Sequence, residues 1–221
     1  MNTLKIVLLF GLSFVLISSI VFEEKKTYPG YVVFENDRKI EGVVQPGTVT
    51  DNEVKIKMLI KGKKKTFKPD EVKEYGYEMI EKNDLDNLVK TWIRYERQEA
   101  IAPPKPFGST DVFMQIEVEG TIKLYSYYIE MRAKRENPFQ HSYYVKNKEG
   151  KLISIDEKNF LKQSKKVFKD YSAMASQIGK KQFRYTNFVR MVRDYNYWSV
   201  NQHDQTVYKI SPENYDANKY K

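Results

Sequence analysis

Five tyrosines carry the strongest chemical signal in this chain. Tyr125, Tyr127 and Tyr128 lie in KLYSYYIE, and Tyr143 and Tyr144 lie in HSYYVK. Side chains of an extended strand alternate between faces, so Tyr125 and Tyr127 share one face and Tyr128 takes the other. A tyrosine face open to solvent can stack on sugar rings or receive a partner protein, because the ring is apolar and the hydroxyl is not. The plainer alternative is that such a face is covered by helices that need a sheet to bury against. Two basic clusters, Lys61, Lys63, Lys64 and Lys65 in one hairpin and Arg132, Lys134 and Arg135 between strands, offer an anion-binding edge. Lysines at such places also simply stay solvated and discourage edge-to-edge pairing. The candidate binding residues are therefore Tyr125, Tyr127, Tyr143, Lys63, Lys64, Arg132, Lys134 and Arg135.

Other chemistry is thinly represented. There is no cysteine, so disulfides, thiolate metal sites and cysteine nucleophiles are excluded together. With only His141 and His203, a structural zinc site lacks its ligands. His141 reads as a loop histidine with no nucleophile motif near it, and His203 falls in a polar tail that gives a catalytic group no rigid support. Asn83, Asp84, Asp86 and Asn87 cluster at a turn, without the glycine and carboxylate register of a calcium loop. Asp70 and Glu71 follow Pro69 and read as turn chemistry. Nucleophile-elbow, zinc-protease, P-loop and dinucleotide-binding motifs are missing. No catalytic residue, metal or cofactor is predicted.

Residues 1–22 hold one charged side chain, Lys5, before an uncharged run from Ile6 to Phe22. Position, charge and length predict a signal peptide or a retained N-terminal anchor. The formal net charge of +9 favours acidic partners such as anionic lipid or acidic polysaccharide. Export makes nucleic acid the least suitable of the acidic partners.

The elements that must position these residues read as follows. From Tyr28 to Tyr77, five short strands are separated by Asn36-Asp37, Lys61-Gly62 and Pro69-Asp70-Glu71, predicting a small curled sheet or barrel-like module over 28–100. Residues 85–96 fit either a helix or a strand, with Val89 to Glu96 favoured as strand. Pro103, Pro104, Pro106 and Gly108 mark 101–110 as a connector. Val112 to Ile155 reads as an antiparallel meander turned at Gly120 and at Lys148-Glu149-Gly150. A helix capped by Asp156 is predicted over 156–178, and a second over 186–200. Residues 201–221 read as a polar tail.

In this order the pieces resemble a family of uncharacterised exported proteins of Bacteroidota bacteria. The resemblance rests on the leader, on Gly30-Tyr31-Val32-Val33 with Ile40-Glu41-Gly42-Val43, and on Phe67-Lys68-Pro69-Asp70-Glu71-Val72. It extends through Val118 to Tyr125, Asn159-Phe160 and Tyr195-Asn196. It implies export and a shared α+β layout, and no activity.

The expectation is thus an α+β protein: an N-terminal antiparallel β module, a central meander, and two C-terminal helices packed on sheet. The expected role is a non-enzymatic envelope or secreted protein binding another envelope protein, a glycan or an anionic lipid surface. A glycan hydrolase using carboxylates alone and a membrane-anchored adhesion or assembly subunit are the alternatives.

Overall fold

The alternation of apolar and polar residues from Tyr28 onward becomes strands that pair mostly with their sequence neighbours. The computed structural model describes residues 26–48, 55–82, 87–99, 111–130 and 139–201. The first five strands are β1 (Tyr28–Val33), β2 (Lys39–Gln45), β3 (Ile56–Ile60), β4 (Lys63–Phe67) and β5 (Glu74–Lys82). They are followed by β6 (Leu88–Glu99), β7 (Asp111–Val118), β8 (Lys123–Glu130), β9 (Phe139–Lys146) and β10 (Leu152–Ile155). All pair antiparallel in one sheet of order β10-β9-β8-β7-β6-β5-β1-β2-β3-β4. The sheet is open, with β10 and β4 as its edges.

Two β modules were expected on either side of a connector, and they form one sheet. β6 pairs with β7 from Tyr95↔Gln115 to Glu99↔Asp111. Phe113 of β7 packs edge-on against Tyr75 of β5, 4.8 Å between centroids, inside the N-terminal cluster. The predicted leader, the 101–110 connector and the 202–221 part of the tail lie outside the described residues. At the N-terminal end the sheet curls. Phe34, just past β1, reaches Phe67 on the far edge strand β4 at 5.8 Å, which requires β1–β4 to bend around Val32, Val44, Ile56 and Met58. The turn residue Val72, wholly buried, closes that cluster.

The hairpins use the predicted turn residues. Asp37, Lys61 and Gly62 all take positive φ, the backbone twist a tight reversal between strands demands. The described part of the ambiguous segment is strand from Leu88 and runs on to Glu99, because its β-branched and aromatic residues pair along the whole of β5.

The predicted 156–178 helix is two pieces, α1 (Phe160–Val167) and α2 (Ser172–Ala175). The break falls where Phe168 and Tyr171 both turn into the core, while the intervening Asp170 reaches Lys148 and Tyr195. Asp156 is not the cap it was expected to be: Asn159 precedes the first helical residue, and no side chain caps the helix. The Asp156 carboxylate accepts from the Asn159 backbone amide at 2.9 Å, and the Asn159 side-chain oxygen accepts from the Asp156 backbone amide at 3.0 Å, fixing the entry into α1. The last helix, α3 (Phe188–Val200), follows a 3-10 turn at Tyr185–Asn187 and buries Phe188, Met191, Val192 and Tyr195. Among the described residues no helix is long and apolar enough to cross a membrane.

The helices cover one face of the C-terminal half of the sheet. Leu124 and Val145 are paired neighbours in that covered core. One position along, Tyr125 and Tyr144 are also paired and point to the opposite face, where they cluster with Val112, Met114 and Tyr127.

Candidate functional site

The structure removes the predicted tyrosine platform. Tyr125 is fully buried and Tyr127 only 5% exposed. They do share a face, as alternation requires, but both faces of β8 are core. Tyr143 is half-buried beneath the helices, its ring 5.5 Å from both Tyr185 and Phe188. Tyr125 and Tyr127 offer no open ring surface, and Tyr143 packs under the helices as part of the fold. His141, expected in a loop, sits in β9 between Tyr128 and Tyr143, and burial holds its imidazole below the usual range. Lys63 and Lys64 are exposed on the edge strand β4. Arg132, Lys134 and Arg135, His203 and residues 83–86 lie outside the described residues. Glu71 accepts from the Lys68 amide at 2.7 Å, so the Asp70-Glu71 pair closes a turn.

A different set of side chains is brought together on the face away from the helices. Trp92, Arg94, Glu96 and Gln98 occupy alternate positions of β6 and so share one face. Strand pairing sets Glu74 opposite Glu96 and Gly76 opposite Arg94, with Tyr31 of β1 on the far side of Gly76. Arg94 is the hub. Its Nη2 donates to Glu74 at 2.9 Å, its Nε to the Tyr31 hydroxyl at 3.2 Å, and its Nη1 to Glu119 in the turn after β7 at 2.5 Å. The Tyr31 hydroxyl donates to Glu74 at 2.6 Å. Burial, together with that acidic acceptor, pushes the Tyr31 phenol up to about 12.

The network continues across β8 and β9. Lys123 donates to Glu96 at 2.7 Å, the Tyr125 hydroxyl donates to the same carboxylate at 3.1 Å, and Gln98 donates to it at 3.0 Å. Lys146 lies 3.7 Å from Glu96. Burial works against the Glu96 carboxylate, but the hydrogen bond and charge of Lys123, helped by Lys146, hold it below the usual range. Three cations thus face three carboxylates, and the ribbon is locally neutral.

At the Arg94 end this ribbon opens onto an aromatic pair. Trp92 is 52% exposed, and its ring lies 5.9 Å from that of Tyr31. The Lys39 ammonium sits 4.4 Å over the Tyr31 ring from the other side. Gly76 makes this possible: a Cβ there would stand 3.0 Å from the Tyr31 ring. Ile80, paired with Lys90, and Leu88 extend the exposed apolar surface along the β5–β6 hairpin, at 48% and 70% exposure.

Chemically this is a surface with one accessible aromatic plane beside donors and acceptors already locked in place. Glu74 and Glu96 are poorly suited to donate a proton. Glu96 is stabilised as the anion, the wrong direction for a general acid near neutral pH, and Glu74 is held by both Arg94 and Tyr31. Among the described residues no group of three or more His, Asp or Glu side chains is placed to hold a metal ion. Sequence reasoning missed Tyr31, Glu74, Trp92 and Arg94. The period-two run Trp92-Arg94-Glu96-Gln98 was the available signal, since charged residues spaced along one strand face announce a polar ladder. No family model, curated protein or solved structure matches this chain, so the site rests on its own geometry.

Proposed function

We propose that this chain is an exported, non-enzymatic envelope protein that binds a glycan on the Trp92–Tyr31 surface. The half-exposed Trp92 ring carries this reading: a large aromatic left open beside a rigid polar ladder is what the apolar face and hydroxyl edge of a sugar ring require. The uncharged run Ile6–Phe22 behind Lys5 supports export. Fixed side chains favour binding over turnover, because Arg94, Glu74 and Tyr31 pay little ordering entropy when a ligand arrives.

The chain has two tryptophans, and Trp198 is stacked flat on Tyr171 at 4.2 Å. In a Trp198→Phe background, emission therefore reports on Trp92 alone. Titration with neutral N-acetylglucosamine oligomers and with an acidic polyuronate should change that emission saturably for one of them. Trp92→Ala should weaken the binding, followed by calorimetry, at least about tenfold. No saturable response to either, or full affinity in Trp92→Ala, overturns the assignment. Cleavage of the oligomer, lost in Glu119→Gln, would favour a hydrolase instead.

A further inference from the structure

The surface of the helical layer has a charge that the glycan site leaves unexplained. Between Asp156 and Asn201 there are ten basic and four acidic residues, a net +6 of the chain's +9. The acids are mostly engaged: Asp170 with Lys148 and Tyr195, Asp156 at the start of α1, and Asp194 with Arg190. The lysines of α1 are not. α1 buries Phe160, Ser164 and Val167, and points Lys162, Lys165 and Lys166 directly away from the core, all exposed and with no ion-pair partner among the described residues. Lys180 and Lys181 are likewise exposed.

Two apolar features lie among these lysines. Leu161, one turn before Lys165, is 55% exposed, and its methyl group fills the space beside Gly179. A cleft of about 380 Å³ opens between α2 and Lys180–Phe183, floored by the buried Met174 and Phe183 and lined by Lys180 and Lys181. A soluble polyanion uses the cations only. An anionic bilayer uses the exposed Leu161 as well, because phosphate groups meet the ammonium groups while that apolar side chain enters the headgroup–acyl boundary.

We propose that this helical face is a docking surface for an anionic phospholipid bilayer. It lies on the side of the sheet opposite the Trp92–Tyr31 surface, so a docked molecule presents that surface away from the lipid. The proposal does not depend on what Trp92 binds.

The test is co-sedimentation of the full chain with phosphatidylcholine vesicles and with vesicles also containing phosphatidylglycerol. The leader adds the same apolar affinity to both, so the gain on phosphatidylglycerol is the reading. A gain that falls with added salt is expected, and K162E/K165E/K166E should lose it by on the order of a hundredfold. K180E/K181E, in a separate segment, should lose part of it, so the idea stays testable if the first variant fails to fold. Leu161→Gln should weaken binding to anionic vesicles while leaving binding of soluble heparin unchanged. No gain on phosphatidylglycerol, a gain kept in folded charge-reversal variants, or heparin bound with no preference for the vesicle overturns the proposal.

Discussion

The Asn196 side chain of α3 hydrogen-bonds both backbone groups of Ile122 in the turn between β7 and β8. Its Oδ1 accepts from the Ile122 amide at 2.9 Å and its Nδ2 donates to the Ile122 carbonyl at 2.9 Å. The pair joins residues 74 apart and is buried. One amide side chain therefore acts as a strand partner for a turn that has none, and it fixes where the last helix lands on the sheet. Gly120 belongs to the same arrangement: at φ +156° it accommodates Asn196, whose Nδ2 would stand 2.4 Å from an added Cβ.

Asn196→Ala leaves a buried amide and carbonyl unpaired. The expected loss is about 2–4 kcal/mol of unfolding free energy in urea denaturation. Ser199→Ala on the same helix, which loses a part-buried bond to Thr121, should cost no more than about 1 kcal/mol. Equal effects would mean that the Asn196 contact does not hold the helix.

Tyr125 supplies a second prediction, because its role changed from expected ligand contact to core. Tyr125→Phe keeps the packing and removes the hydroxyl bonds with Glu96 and Gln98, so it should cost about 1 kcal/mol. Tyr125→Ala opens a cavity in a fully buried position and should cost about 3–5 kcal/mol. Lys63→Ala and Lys64→Ala, on the solvated edge strand, should stay within about 0.5 kcal/mol. Thermal or urea unfolding of the four variants decides whether the ordering holds.

These residues also show what the sequence makes legible. Period-two alternation located the N-terminal strands, Val89 to Glu96 and the meander, since that pattern is local. It placed Tyr125 and Tyr127 together on one face correctly. Which face stays open depends on what packs there, and β8 turned out to be buried on both sides. Tyr31 and Arg94 are 63 residues apart and meet only because β5 pairs with β1 and β6 in one register. A slip of one residue would send Arg94 to the opposite face, and no local pattern encodes that register. The apolar spacing over 156–178 is continuous and predicts one unbroken helix. The break at Phe168–Tyr171 is a tertiary effect, set by burial of both rings and the tie from Asp170 to Lys148.

Two strand glycines should differ in how severely the neighbouring backbone obstructs an added Cβ. At Gly30 a Cβ would meet the Gly76 carbonyl oxygen at 2.4 Å, an atom held in the β1–β5 ladder. At Gly76 the nearest obstacles are the Tyr31 ring at 3.0 Å, which can tilt, and the Ile93 carbonyl oxygen at 3.1 Å, a far looser approach than the 2.4 Å at Gly30. Gly30→Ala should therefore cost more than Gly76→Ala, the latter about 1–3 kcal/mol. Gly76→Ala should also alter Trp92 emission in the Trp198→Phe background, because it displaces the neighbouring ring. Unchanged emission would mean that Tyr31 and Trp92 do not move together.

Stability should fall with acid in two separable arms. The half-buried His141 imidazole has its folded pKa below the unfolded value of about 6.5, so between those values the unfolded chain binds the extra proton and acidification favours unfolding. Glu96 is also depressed, from about 4.5, with burial opposed by Lys123 and Lys146, and Asp170 from about 3.8, with burial opposed by Lys148 and Tyr195. Both carboxylates bind protons more readily when unfolded, so their stabilisation is complete above those values and is lost as pH drops through the lower folded ones. Urea midpoints measured across pH 7 to 3 should thus decline first below about 6.5 and again below about 4.5. His141→Phe, which keeps an aromatic between Tyr128 and Tyr143, should flatten the upper arm and leave the lower one. Glu96→Gln should flatten part of the lower arm only, since Asp170 still titrates there. An upper arm that survives His141→Phe would show that the imidazole is not held neutral by burial.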